Sequence, residues 1–157
     1  DMKIKNEAIY FDMDGVLCDW VEMFKRVCDV DLEEFNEMSK AEKHEIKEVI
    51  FGYDFFREMK GIEKGLNMIR EYMKSHENVF ILSAVGDSSH VDEIAKAKVE
   101  WIREFVCPKI EIMFVDKVEN KHVKKKDGYE CHILVDDRKK AIDAWNERGG
   151  VGILFVE

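Results

Sequence analysis

Five short runs of apolar and β-branched residues recur along the chain, each closed by a polar or glycine-containing stretch. They are EAIYFD (7–12), NVFILSA (78–84), KIEIMFV (109–115), CHILV (131–135) and VGILFV (151–156). From residue 60 onward they alternate with segments of helical period. Ile62, Leu66, Ile69 and Met73 recur at i, i+4, i+7 and i+11. Ser89 to Asp92 opens a second helix, with Val91, Ile94, Ile102 and Phe105 assigned to its inner face. Asp137 caps a third, with Ile142 and Trp145 inward, and Gly149-Gly150 stops it. Continuous apolar strands alternating with helices predict an α/β fold: an open parallel sheet with helices on both faces.

The stretch between the first two runs breaks the pattern. About 65 residues (13–77) are too many for a single crossover. Residues 18–60 are therefore expected to form a small helical insert, leaving 2–17 and 61–157 as the α/β core. Within the insert, Trp20, Phe24 and Val27 fall on one helical face. Asp31 to Glu34 and Ser39 to Glu42 carry capping signatures, and FGYDFF (51–56) reads as a turn with an aromatic cluster.

A chain of 157 residues can bury a sizeable core as one domain. Its net charge of -9 is the wrong sign for binding a nucleic-acid duplex, and its basic stretch KHVKKKDG (121–128) reads as a solvated loop. No window approaches 18 consecutive apolar residues and no charged-then-apolar leader opens the chain, so neither a membrane span nor a secretory signal is expected. Cys18, Cys28, Cys107 and Cys131 show no metal or disulfide spacing and read as reduced thiols of a cytoplasmic protein. Asp1, ahead of Met2, is set aside.

In sheets of this kind ligands bind beyond the carboxyl ends of the strands. The first strand delivers Asp12 and Asp14 to that edge, the second Ser83, the loop after the third Lys117 and Lys121, and the fourth Asp136 and Asp137. Two carboxylates at one strand end repel unless a cation lies between them or one keeps its proton. Alone, Asp-Gly at a strand end would be an ordinary polar turn. Acids, a hydroxyl and a lysine arriving from four separate segments read instead as a site.

FDMDGVL (11–17), ILSA (81–84), Lys121 and LVDDR (134–138) resemble, in order, the four motifs of the haloacid-dehalogenase-like (HAD) phosphohydrolases. DMDGVLCDW (12–20), DFF (54–56), KVEW (98–101) and LVDDRKKAIDAWNERGGVGI (134–153) are similar to the 5'(3')-deoxyribonucleotidases within that superfamily. The resemblance implies a Rossmann-like sheet with a helical cap after strand one, and a Mg2+-dependent phosphomonoesterase acting on deoxyribonucleoside monophosphates. It makes Asp12 the nucleophile that forms an aspartyl-phosphate. Asp14 becomes the acid and base that protonates the leaving oxygen and later activates water, which calls for a raised pKa. Asp12, Asp136 and the backbone carbonyl of Asp14 would hold Mg2+. Asp137 would orient a water or Lys121, or else cap its helix. Ser83 and the Ala84 N–H would bind the phosphate, with Lys121, or alternatively Lys117, as its counter-charge.

Trp20 and Phe56 occupy positions where the family stacks a base, although packing of the cap would explain them too. Lys98, on the apolar face of its helix, either snorkels outward or points into the substrate cleft as the family's lysine does. The same chemistry on a sugar phosphate, a non-catalytic Mg2+ and phosphate-binding module, and a receiver domain are the rival readings. The receiver fits poorly, because its acceptor aspartate ends a middle strand of the chain. The implied partner is a small phosphate ester, with a homodimer as the candidate assembly.

Overall fold

The computed structural model describes residues 2–157; Asp1 lies outside the described residues. The five strands are β1 (Ile4–Phe11), β2 (His76–Ala84), β3 (Glu111–Val115), β4 (Cys131–Asp136) and β5 (Val151–Leu154). All are parallel, in the order β3-β2-β1-β4-β5. This is the Rossmann-like arrangement, with the first strand at the centre of the sheet. β1 and β2 start earlier than their apolar runs because Ile4 pairs with His76 across a register shift that precedes Ala8 and Asn78.

The two-residue period of β1 divides the core. Ile9 and Phe11 point to one face and Ala8 and Tyr10 to the other. The first face also carries the insert, whose helices are α1 (Trp20–Val27), α2 (Leu32–Glu37), α3 (Lys40–Ile50) and α4 (Tyr53–Arg57). On that face lie α5 (Glu63–Ser75), through Ile69, and α6 (Val91–Phe105), through Ile94, Ala97, Trp101 and Ile102. Met23, Phe24, Phe35, Phe55 and Phe56 of the insert join the same apolar cluster. The second face is covered by α7 (Lys139–Glu147) through Ala141, Ile142 and Trp145.

Several local expectations are corrected. FGYDFF does not stay a turn: Phe55 and Phe56 bury themselves by winding into α4. Phe105 is 43% exposed and leans on the outer side of Trp101, which fills the inner position. The Ser39–Glu42 capping box forms, whereas Asp31 makes no side-chain cap bond. Asp137 does not cap α7; Arg138 holds the cap position and its N–H donates to Asp136 Oδ1 at 2.9 Å. Nor is the 121–128 stretch a solvated loop. Lys121 is buried, Lys125 lies over the Trp145 ring and donates to the Arg148 carbonyl, and Lys126 pairs with Glu111. The four cysteines are free thiols, with Cys18 buried. Among the described residues no helix is long and apolar enough to cross a membrane.

Candidate active site

The register places the chemistry. Phe11 lies between Ile81 and Val135, so the next residues, Asp12 and Asp136, reach the carboxyl edge side by side, with Ser83 one step further along β2. Asp12 N–H still donates to the Val135 carbonyl at 3.0 Å, which holds its side chain at the strand end. The chain then turns tightly: Met13 O accepts from the N–H groups of Val16, Leu17 and Cys18, and Gly15 N–H donates to Cys18 O. Gly15 has φ +85°, and a Cβ there would sit 2.0 Å from Asp137 Oδ2, so glycine alone fits beside the second acid pair. The chain leaves for the insert at Cys18 and returns at Gly61, which bridges back to it.

Lys121 is carried by a 3-10 helix (Val118–Lys124) that follows β3. Its ammonium donates to Asp12 Oδ1 at 2.8 Å and to Asp136 Oδ2 at 2.7 Å. Lys117, the competing lysine, is exposed. Asp116, passed over in the sequence, fixes this turn by accepting from Lys117 N–H and Asn120 Nδ2. An aspartate directly after an apolar run, at the start of a polar stretch, is an Asx-turn signal that could have revealed it.

Lys98, fully buried, answers the second question. It reaches into the cleft, donating to Asp14 Oδ2 at 3.0 Å, Ser83 Oγ at 2.8 Å and the Ala84 carbonyl at 2.8 Å. Its ammonium also lies 4.9 Å from the Phe56 ring centroid. Phe56 is therefore buried beneath Lys98, while half-buried Trp20 stacks on Phe24 and meets the edges of Phe51 and Phe55.

Oxygen atoms of Asp12, Asp136 and Asp137 all lie within 4.8 Å of one another, a hard-oxygen donor set of the kind Mg2+ takes. The Asp14 side chain lies outside this group, paired with Lys98. Crowding of the acids perturbs them. Asp136 is pushed up to about 6 by burial and then by Asp12; Asp137 is pushed up to about 8 by desolvation of its carboxyl, then by Asp12 and Asp136. Asp14 is raised as expected, because burial outweighs the opposing pull of Lys98, and its Oδ1 is buried without a partner. Burial would lower the Lys121 ammonium, but Asp12 and Asp136 outweigh it and raise it.

A central strand ending in D-x-D, a buried lysine on its first acid and an acid pair on the neighbouring strand, under a helical insert, define the HAD-like hydrolase class. Solved structures share the fold. A HAD-like family hydrolase from Streptococcus pneumoniae superposes with TM-score 0.59 at 18% identity, covering 94% of this chain and 83% of that one. A hydrolase from Pseudomonas syringae gives 0.58 at 14%, with the same coverage. A HAD family enzyme from Bacteroides thetaiotaomicron, in complex with magnesium and inorganic phosphate, gives 0.52 at 14%, covering 98% and 94%. Against curated protein sequences the chain finds no match. The chain belongs to the family of the 5' nucleotidase, deoxy (pyrimidine), cytosolic type C protein (NT5C), whose model matches residues 6–157. It is accordingly a phosphoric monoester hydrolase of nucleotidase type.

Proposed function

We propose that the protein is a Mg2+-dependent 5'(3')-deoxyribonucleotidase, built as a core of residues 2–17 and 61–157 under a cap of residues 18–60. The observation that carries this reading is Lys121 bridging Asp12 and Asp136 within a cluster that Asp137 completes. Asp12, Asp136 and Asp137, with the backbone carbonyl of Asp14, would hold Mg2+, which when bound would neutralise the nucleophile and the phosphate oxygens. The magnesium and phosphate complex of the Bacteroides enzyme supports that choice of ion.

In this mechanism an Asp12 carboxylate oxygen attacks phosphorus and the ester P–O bond breaks. Asp14, whose carboxyl is raised by burial, passes a proton to the leaving oxygen and frees the nucleoside. Water then attacks the aspartyl-phosphate, Asp14 takes its proton, and phosphate leaves with Asp12 restored. Lys121 orients Asp12 and offsets charge on the transferring group, while the Ser83 hydroxyl and the Ala84 N–H bind its oxygens. Trp20 offers a stacking face to the base. Lys98 keeps Asp14 and Ser83 in place, and Phe56 supports Lys98 from below.

Phosphate release from dUMP, dTMP, the matching ribonucleotides and a panel of sugar phosphates, each with and without Mg2+, tests the reading. Deoxyribonucleotides should be hydrolysed best, and only with the ion. Equal or better turnover of sugar phosphates would refute the substrate assignment.

A further inference from the structure

The four insert helices are not held alike. α4 is fastened to α6 by its buried Phe55 and Phe56, by Tyr53 on Glu100 and by Arg57 on Glu104. α3 buries none of its residues; Ile46 and Ile50 are half-buried and Val49 is 83% exposed. Beside the partial packing of Ile46 and Ile50, its polar ties to the core are concentrated at one residue. The Glu48 carboxylate accepts from the Ser89 N–H at 2.9 Å and from the Ser89 hydroxyl, and the Glu48 carbonyl accepts from His90 Nε2 at 2.9 Å. His44, one turn earlier, adds a contact of 3.5 Å to the same carboxylate.

Ser89 and His90 end the loop that leaves β2 just after Ser83 and Ala84, and they open α6, which carries Lys98. One carboxylate thus joins α3 to the segment between the Ser83–Ala84 phosphate donors and Lys98, which holds Asp14 and Ser83. Phe51, the residue that caps the C-terminus of α3, meets Trp20 edge-on at 5.6 Å. Beyond it Gly52 has open space where a Cβ would stand, which leaves the chain room to pivot. An apolar seam resists opening because water must cover it, whereas a few exposed hydrogen bonds exchange readily with water.

We infer that α3 is the movable wall of the nucleoside pocket and that Glu48 on Ser89 is its latch. Glu48 is then a positioning residue: it decides how firmly Phe51 and Trp20 are held against a nucleoside, without touching the phosphate. The inference rests on the nucleotide reading for its substrate, but not for the motion itself.

The test is Glu48→Ala in the full chain, read by amide hydrogen exchange and by kinetics. Exchange over residues 44–50 should quicken about tenfold, the scale for losing charge-assisted hydrogen bonds, while α4 and α6 keep their protection. KM for dUMP should rise several-fold at little change in kcat, and hydrolysis of p-nitrophenyl phosphate, which has no nucleoside, should stay as it was. Glu48→Gln, whose amide oxygen can still accept from Ser89, should restore most of the KM. Unchanged exchange would overturn the latch. So would a loss shared equally by both substrates with a fall in Tm, which would make Glu48 merely structural. If the parent fails to hydrolyse dUMP, the nucleotide reading falls alone and the exchange result still decides the latch.

Discussion

Replacing Lys98 by methionine keeps an unbranched apolar stem, one atom shorter, and deletes the charge. The buried ammonium makes three hydrogen bonds, to Asp14 Oδ2, Ser83 Oγ and the Ala84 carbonyl, so the change strands one carboxylate, one hydroxyl and one carbonyl. Breaking a buried ion pair on one side costs about 3–5 kcal/mol. The Asp14 side chain is 27% exposed, so the lower end, about 3 kcal/mol at pH 8, is expected. The effect must depend on pH. Asp14 is already raised by burial, and Lys98 is the largest influence opposing that rise. Without the lysine the folded state holds the Asp14 proton more tightly than the unfolded chain does, so stability falls as pH rises through that widened window. Urea unfolding of parent and variant at pH 8 and pH 5 reads the difference, which should shrink at pH 5. Adding Asp14→Asn to the variant should recover much of the loss at pH 8, since a neutral pair leaves no buried charge. The pH profile of kcat/KM should also move upward in Lys98→Met. An equal destabilisation at both pH values would refute the coupling of Lys98 to the Asp14 proton.

Without metal, the raised Asp136 and Asp137 make the folded state bind protons more readily than the unfolded chain. Tm in chelator should therefore fall as pH rises from about 4 to about 8, and added Mg2+ should flatten the trend; scanning calorimetry across that range checks both. Gly15→Ala forces a left-handed backbone on alanine and drives its Cβ onto Asp137, so a loss of about 1–2 kcal/mol and weaker Mg2+ binding by titration calorimetry are expected. Ser39→Ala removes the α3 capping box and should cost about 1 kcal/mol in urea unfolding, leaving p-nitrophenyl phosphate hydrolysis unchanged.

The α/β layout was legible because strand runs and helical periods alternate plainly after residue 60. The rim was legible because each acid, hydroxyl and lysine closes or follows an apolar run, and parallel strands bring such positions to one edge. What sequence could not supply were pairings across long separations. Lys98 finds Asp14 at 3.0 Å across 84 positions; its place on an apolar helix face left snorkelling and the cleft both open in the sequence. The 121–128 run looked solvated because four lysines in eight residues suggest a free surface. Tertiary contacts instead bury Lys121 between acids and lay Lys125 and Lys126 over Trp145 and Phe80. FGYDFF read as a turn with an aromatic cluster, and only the core that Phe55 and Phe56 enter shows it wound into α4. Ser89 was expected to open the second helix, which instead starts at Val91 with His90 at its cap, while Ser89 binds Glu48, 41 residues away.

The account stands on Asp12 carrying the phosphoryl group. Enzyme mixed with dUMP and Mg2+, quenched in acid within milliseconds and treated with borohydride, converts any aspartyl-phosphate to a reduced residue that peptide mass mapping can locate. The mark should fall on position 12 and vanish in Asp12→Asn, with activity down by about 10³-fold or more. A mark on Asp14 or Asp136, or full turnover with no mark at all, would contradict it.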